Sequence, residues 1–345
     1  MRGTHLSRRA FLCALGVLGL GAAASTTPVM AAIRLTEALK IGNVYKVSEN
    51  RFLMGTYVAI TAVHESRQAA ENAIGLAFAE MERLRAILDR HDASAPLAHL
   101  NISGRLSDVE PELFAVMREA LDFNRLSAGA FDATVLPVVQ VLKGRGGKTP
   151  SEKDLRAALD LVGSDAVRLS HSGISFGRQG MGVTLDGIAK GFIVDRASDV
   201  LAANGVADHL INAGGDIRAR GGRADGQPWT VAIEDPAKQG DYPAILHLRD
   251  AAVATSGGYE LFYDAGRTRH HVVDPRTARS PGKSLSVSVT ARTVMAADAL
   301  ATSVFVMPPR DGLSFIDSMP ANECLIVGDS GGRLASRHWG GLVAS

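Results

Sequence analysis

An aspartate and a threonine stand four residues apart in the run Ala297-Asp298-Ala299-Leu300-Ala301-Thr302. On a helix that spacing puts both on one face. A carboxylate beside a hydroxyl offers two hard oxygen ligands, the donors that suit Mg²⁺ bound together with substrate phosphates. Taken alone, such a pair is more often a solvated surface pair. A second run, Thr184-Leu185-Asp186-Gly187-Ile188-Ala189-Lys190-Gly191, reads as a strand ending in a glycine turn that opens a helix. Free N–H groups at the helix start can hold an anion, and Lys190 adds charge. An ordinary strand–helix turn would carry the same residues. Asn212-Ala213-Gly214-Gly215-Asp216 sets paired glycines between strand residues, for a bulge, a hairpin turn or a close approach to the backbone. Thr255-Ser256-Gly257 precedes His270-His271-Val272-Val273-Asp274-Pro275. Neighbouring strand residues point to opposite faces, so at most one of the two histidines faces a site. No third His, Cys or carboxylate accompanies them at ligand spacing, which argues against zinc.

The elements that must position these residues follow from periodicity. Tyr57 to Val63 is a strand rich in β-branched residues. Ser66 to His91 is an amphipathic helix, with Ala70, Ala73, Ile74, Ala77, Met81, Leu84 and Leu88 at near-3.6 spacing. Residues 33–50 read as a short leader into the fold, and a polar loop surrounds Pro96. A helix runs from Pro111 to Ser127 and another covers 151–161. Between them, 143–148 is linker-like, and its glycines and lysines lack phosphate-loop spacing. Short strands are predicted at 166–170, 181–185, 208–212, 229–234, 245–249, 269–273, 284–291 and 323–328. Helices at 188–203 and 293–306 interrupt them. That order gives an α+β fold with mainly antiparallel or mixed sheets flanked by helices.

The chain has 345 residues, 46% hydrophobic and 21% charged, with a net charge of +1, the balance of a soluble globular protein. Its first 32 residues hold Arg2, Arg8 and Arg9 and no acid, so the remainder carries 34 basic and 36 acidic residues. Nothing in that balance points to nucleic acid as a partner. Ser7-Arg8-Arg9-Ala10-Phe11-Leu12, an apolar stretch from Cys13 to Ala24 and small residues before Pro28 form a secretory signal resembling the twin-arginine type. The expected division is a signal over 1–32 and one functional domain over 33–345, delivered to the periplasm by the twin-arginine export machinery. The alternative is an uncleaved anchor, for which the apolar run falls short of the ~20 residues a spanning helix needs. Cys324, in the run Cys324-Leu325-Ile326-Val327, reads as a buried, inert thiol.

Each motif is weak by itself; their order is specific. Met54-Gly55-Thr56, Gly129-Ala130-Phe131-Asp132, Gly187-Ile188-Ala189-Lys190-Gly191, Asn212-Ala213-Gly214-Gly215-Asp216, Thr255-Ser256-Gly257, His271-Val272-Val273-Asp274-Pro275 and Ala297 to Thr302 together resemble the ApbE flavin transferases, over about residues 50 to 330. The resemblance implies a two-lobed single unit of α+β, T-fold-like type that binds FAD and Mg²⁺. It implies that Asp298 and Thr302 ligate Mg²⁺ by side chain and Gly187 by its carbonyl, and that Met54, Ala130, Phe131, Asp132, Lys190 and Val272 line the FAD site. His91 falls where the family usually has Tyr, Thr184 where it commonly has Asp, and Ala278 where it usually has Gly. The His91 and Thr184 positions belong to the flavin site by the same comparison.

The implied reaction transfers FMN from FAD to a Ser or Thr hydroxyl of an acceptor protein, expected to be a membrane redox protein, and releases AMP. Asp298 is the expected catalytic metal ligand and His271 the expected base, because an imidazole titrates near working pH. A strand histidine bonded to backbone is the plain alternative for His271. Two rival functions stand beside transfer: an FAD pyrophosphatase passing FMN to water, and a flavin-binding maturation factor without turnover.

Overall fold

The computed structural model describes residues 35–144, 149–238, 240, 242–282, 284–329 and 331–343. The expected signal segment, Cys13 and residues 145–148 of the linker-like stretch lie outside them.

Three two-residue turns organise the sheet. Gly42-Asn43, Met54-Gly55 and Gly214-Gly215 each join residues that pair directly, Ile41 with Val44, Leu53 with Thr56 and Ala213 with Asp216. Positive φ at Gly42 (57°), Met54 (54°), Gly55 (75°), Gly214 (61°) and Gly215 (99°) supplies the backbone sense that matches the twist of paired strands. Nine strands result: β1 Leu35–Ile41, β2 Val44–Leu53, β3 Thr56–His64, β4 Asp208–Ala213, β5 Asp216–Arg220, β6 Ala251–Gly257, β7 Ser284–Ala291, β8 Glu323–Gly328 and β9 Arg333–Ala335. Their order across the sheet is their order along the chain. Every pairing is antiparallel.

Among the described residues of 65–207, between β3 and β4, lie six α-helices: α1 Arg67–Leu88, α2 Pro96–Ser103, α3 Pro111–Leu126, α4 Leu136–Lys143, α5 Glu152–Leu159 and α6 Ala189–Ala203. Helices α7 Val294–Val306 and α8 Pro309–Asp317 follow β7. The apolar stripe of α1, with Phe78 added to the predicted residues, is buried in the large core that also takes Ile193, Val194, Ala197 and Leu201 of α6 and Val304 and Phe305 of α7. A second core includes Val253, Leu325 and Val327 of the sheet. It is completed by Trp229, Val231, Leu246 and Leu248 from a separate two-stranded ribbon, and by Trp339.

Several expectations are corrected. Residues 35–53 are two sheet strands, not a leader, and the Gly42-Asn43 turn between alternating runs is the signal that marks them. Pro96 opens helix α2 at its first turn in place of a loop. Residues 181–185 form no strand. Asn101 takes both backbone groups of Val183, accepting its N–H at 2.7 Å and donating Nδ2–H to its carbonyl at 2.9 Å. Residues 269–273 keep only a single bridge, Phe262 to His270. Cys324 is fully buried, and burial pushes its thiol up to about 12.

Candidate active site

Helix α7 is buried nearly all round, as its run of Ala, Leu, Val and Phe requires. Its start is satisfied by Thr293, whose hydroxyl accepts the N–H of Ala296 at 3.2 Å. Asp298 and Thr302 lie one turn apart on the side that meets the start of α6. Asp298 is 6% exposed, and its Oδ2 accepts the N–H of Gly191 at 3.3 Å. A methyl group added to Gly191 would stand 2.6 Å from the carbonyl oxygen of Val294, so only glycine permits this approach of α6 to α7. A methyl on Gly187 would stand 2.8 Å from Thr302 Oγ1 and 3.4 Å from Phe131. The backbone of Gly187 therefore lies against the Thr302 hydroxyl, which also shares a hydrogen bond with Ser256 at 3.2 Å.

These groups open into one cleft. Of the sequence-derived candidates, Ala130, Phe131, Asp132, Thr184, Gly187, Lys190, His271, Val272, Asp298 and Thr302 line it. Met54 and His91 are not among the lining residues. Met54 occupies the β2–β3 turn, whose Thr56 packs on Gly214; His91 is exposed beside the Arg90–Asp186 pair. Asp132 spends its carboxylate on the fold. Oδ1 accepts from the Thr134 amide, the Thr134 hydroxyl and the Ser164 hydroxyl, and Oδ2 accepts from Asn124.

Sequence reading did not single out Asp216, Glu260 or Tyr263 as site residues, although all three line the cleft. Asp216 directly follows the glycine turn, and a carboxylate set at the start of a buried strand was the available signal. It is 1% exposed, and its Oδ2 lies 3.3 Å from Lys190 Nζ as an ion pair without a well-aligned hydrogen bond.

Charge in the cleft is unbalanced. Burial raises the Asp216 carboxyl to about 6 against the pull of Lys190. Burial and then Asp216 push Asp298 well above the carboxylate range. Burial works against the charge of Lys190, but Asp216, Asp298 and Glu260 together raise its pKa. Three carboxylates face one ammonium. With the Thr302 hydroxyl and the Gly187 backbone beside Asp298, this oxygen-rich, anionic set fits a hard divalent cation shared with phosphates. Among the described residues no three His, Cys, Asp or Glu side chains gather closely enough to hold a metal by themselves.

The two histidines have different surroundings. His270 is buried against the edges of Phe262 and Phe305 and bonds the Pro281 carbonyl through Nε2 at 2.8 Å. His271 lines the cleft with Nε2 4.0 Å from Glu260, and its Nδ1 is buried with no hydrogen-bond partner among the described residues. Burial lowers its pKa below the ordinary histidine value, which favours the neutral imidazole. Asp186, two residues beyond Thr184, also lines the cleft. It is exposed and gripped by Arg90 through Nη2 at 2.7 Å and Nε at 3.2 Å. Ala278 has a positive φ (56°), a conformation that glycine adopts readily.

The architecture is that of flavin transferases of known structure. Flavin Transferase ApbE from Vibrio cholerae superposes with a TM-score of 0.74 at 26% identity, covering 90% of this chain and 100% of that one. The ApbE protein from Thermotoga maritima does so with a TM-score of 0.79 at 26% identity, covering 88% and 100%. The ApbE family model matches residues 54–326, and the chain belongs to that family. A relative named FAD:protein FMN transferase, from Vibrio cholerae serotype O1, is 31% identical over 246 residues, covering 69% of this chain and 71% of its own. Another of that name, from Rhodobacter capsulatus, is 31% identical over 304 residues, covering 84% and 57%.

Proposed function

We propose that this chain is a Mg²⁺-dependent FAD:protein FMN transferase whose acceptor is a Ser or Thr hydroxyl on an exported or membrane redox protein. The observation that carries the reading is the meeting of Asp298, Thr302 and Gly187 beside Lys190 in one anionic cleft. Asp298 and Thr302 would hold Mg²⁺ by side chain, with the Gly187 carbonyl beside them. Bound there, the ion would bind the FAD pyrophosphate and neutralise charge developing on the leaving phosphate. Lys190 supplies a fixed positive charge on the same side. The acceptor oxygen attacks the FMN-side phosphorus, the phosphoanhydride bond breaks and AMP leaves. His271, held neutral by burial, takes the hydroxyl proton. Phe131 and Val272 form apolar wall and limit water in the cleft.

The arginine pair and apolar stretch at the N-terminus support export to the periplasm through the twin-arginine machinery. No helix among the described residues is long and apolar enough to cross a membrane.

The decisive experiment incubates the exported form with FAD, Mg²⁺ and a Ser/Thr acceptor, and reads flavin fluorescence on a denaturing gel together with AMP. A fluorescent acceptor band that Asp298→Ala abolishes is expected. AMP produced equally without acceptor would make the chain a pyrophosphatase. Intact FAD after prolonged incubation would make it a carrier.

A further inference from the structure

The site gathers side chains from three elements: Lys190 from α6, Asp216 from β5, and Asp298 with Thr302 from α7. Within the cleft α7 is held by the Gly191 N–H donated to Asp298 and by the Thr302–Ser256 hydrogen bond. A further constraint lies behind the cleft, at the start of α7. The first N–H groups of a helix have no partner within it. Here two of them, on Val294 and Met295, are donated to Asp195 of α6, to Oδ1 and Oδ2 respectively, each at 2.9 Å. The third, on Ala296, goes to Thr293. Asp195 is largely buried, with Arg218 of β5 as its cationic neighbour at 4.0 Å, and Arg218 also donates to the Arg292 carbonyl just before the helix. One carboxylate thus spans two successive amides of α7 from the second turn of α6, while an arginine two residues beyond Asp216 reaches the same point from β5.

We propose that Asp195, with Arg218, is a positioning clamp that sets the register of α7 against α6 and β5, and so holds Asp298 and Thr302 against Gly187. It touches neither substrate nor metal. Its role is to make the distance between the α7 oxygens and the Gly187 backbone independent of whether a ligand is bound. Both oxygens of the carboxylate are used, one per amide, so an amide side chain cannot replace it: Asn presents one acceptor and turns an N–H toward the other amide. Gly191 acts with the clamp, because only its lack of a side chain lets the two helices approach closely enough for Asp195 to reach.

This inference rests on the metal reading of Asp298 and Thr302, and the test separates the two. Mg²⁺ is titrated calorimetrically into the wild type, Asp195→Asn and Asp298→Ala, each saturated with ADP as a diphosphate probe, and each variant is melted alongside. Asp195→Asn is expected to weaken Mg²⁺ binding about tenfold, as loss of a supporting shell commonly does. In the transfer assay it should raise the Mg²⁺ concentration for half-maximal rate by the same factor, with the rate recovering at saturating Mg²⁺. Asp298→Ala should abolish binding. An Asp195→Asn protein that melts lower yet binds Mg²⁺ as the wild type does would overturn the clamp and leave a purely structural capping residue. A wild type or Asp298→Ala protein that contradicts its own expectation would overturn the metal site itself.

Discussion

Helix α6 meets the helices α1 and α7 by different chemistry. With α1 it shares an apolar cluster, where Ala70, Ala73, Ile74, Phe78 and Met81 are buried together with Ile193, Val194, Ala197 and Leu201. With α7 it shares that core too, and adds a glycine, a buried carboxylate and directed hydrogen bonds. The first contact is non-directional and scales with area removed from water. The second is directional and leaves like charges close together. Apolar burial on both sides of α6 supports the fold, and the directed polar contacts on the α7 side position the site.

Four substitutions would break or sharpen that contrast. Asp298→Asn is expected to lower transfer about 10³-fold, the scale of losing a central electrostatic group. It should melt no lower than the wild type at neutral pH. The folded pKa of Asp298 is raised, so its ionised form opposes folding above the ordinary carboxylate range, and a neutral side chain removes that penalty. A marked fall in melting temperature would assign Asp298 to the scaffold. On the other side, Phe78→Ala should cost about 3–5 kcal/mol in urea unfolding. It should leave the Mg²⁺ requirement unchanged, and a shifted requirement would show that the apolar contact also shapes the site.

His271→Gln should slow transfer about 100-fold. Burial lowers the His271 pKa, so the neutral base persists below the ordinary histidine value, and the wild-type rate should decline only under about pH 6.5. That acid limb in kcat/KM should vanish in the variant; a limb that survives unchanged belongs to another group. Gly191→Ala, whose methyl would press on Val294 and Met295, should destabilise by about 1–3 kcal/mol and weaken Mg²⁺ binding together. Loss of stability alone would show that the α6–α7 distance does not govern the site.

The same contrast explains what could be read from sequence. The apolar stripe of α1 and the buried run of α7 announce themselves by composition and period, and Asp298 and Thr302 were found because four residues on a helix mean one face. The family motifs then named Lys190, His271 and Val272, which the cleft brings together. Directed polar contacts carry no such period. Met181, Val183 and Leu185 alternate with smaller residues like a strand, yet their segment is held by the Asn101 amide and by the Ala133 carbonyl, which accepts the Thr184 N–H at 2.8 Å. Asp195 sits in α6 with nothing in its neighbours to mark it. Asp216 was visible as part of a glycine turn, but its pairing with Lys190 depends on contact between elements remote in sequence.

The strands run across the sheet in chain order, and the single long detour is between β3 and β4, which pair although residues 65–207 separate them. Lys190 and Gly187 belong to that detour; Asp216 and Asp298 lie beyond it. Zipping β3 to β4 closes a loop of some 140 residues, at an entropic cost that grows slowly with length. The cleft thus joins residues of the inserted segment to residues that follow it, so its parts come together through long-range contacts and not through local sequence.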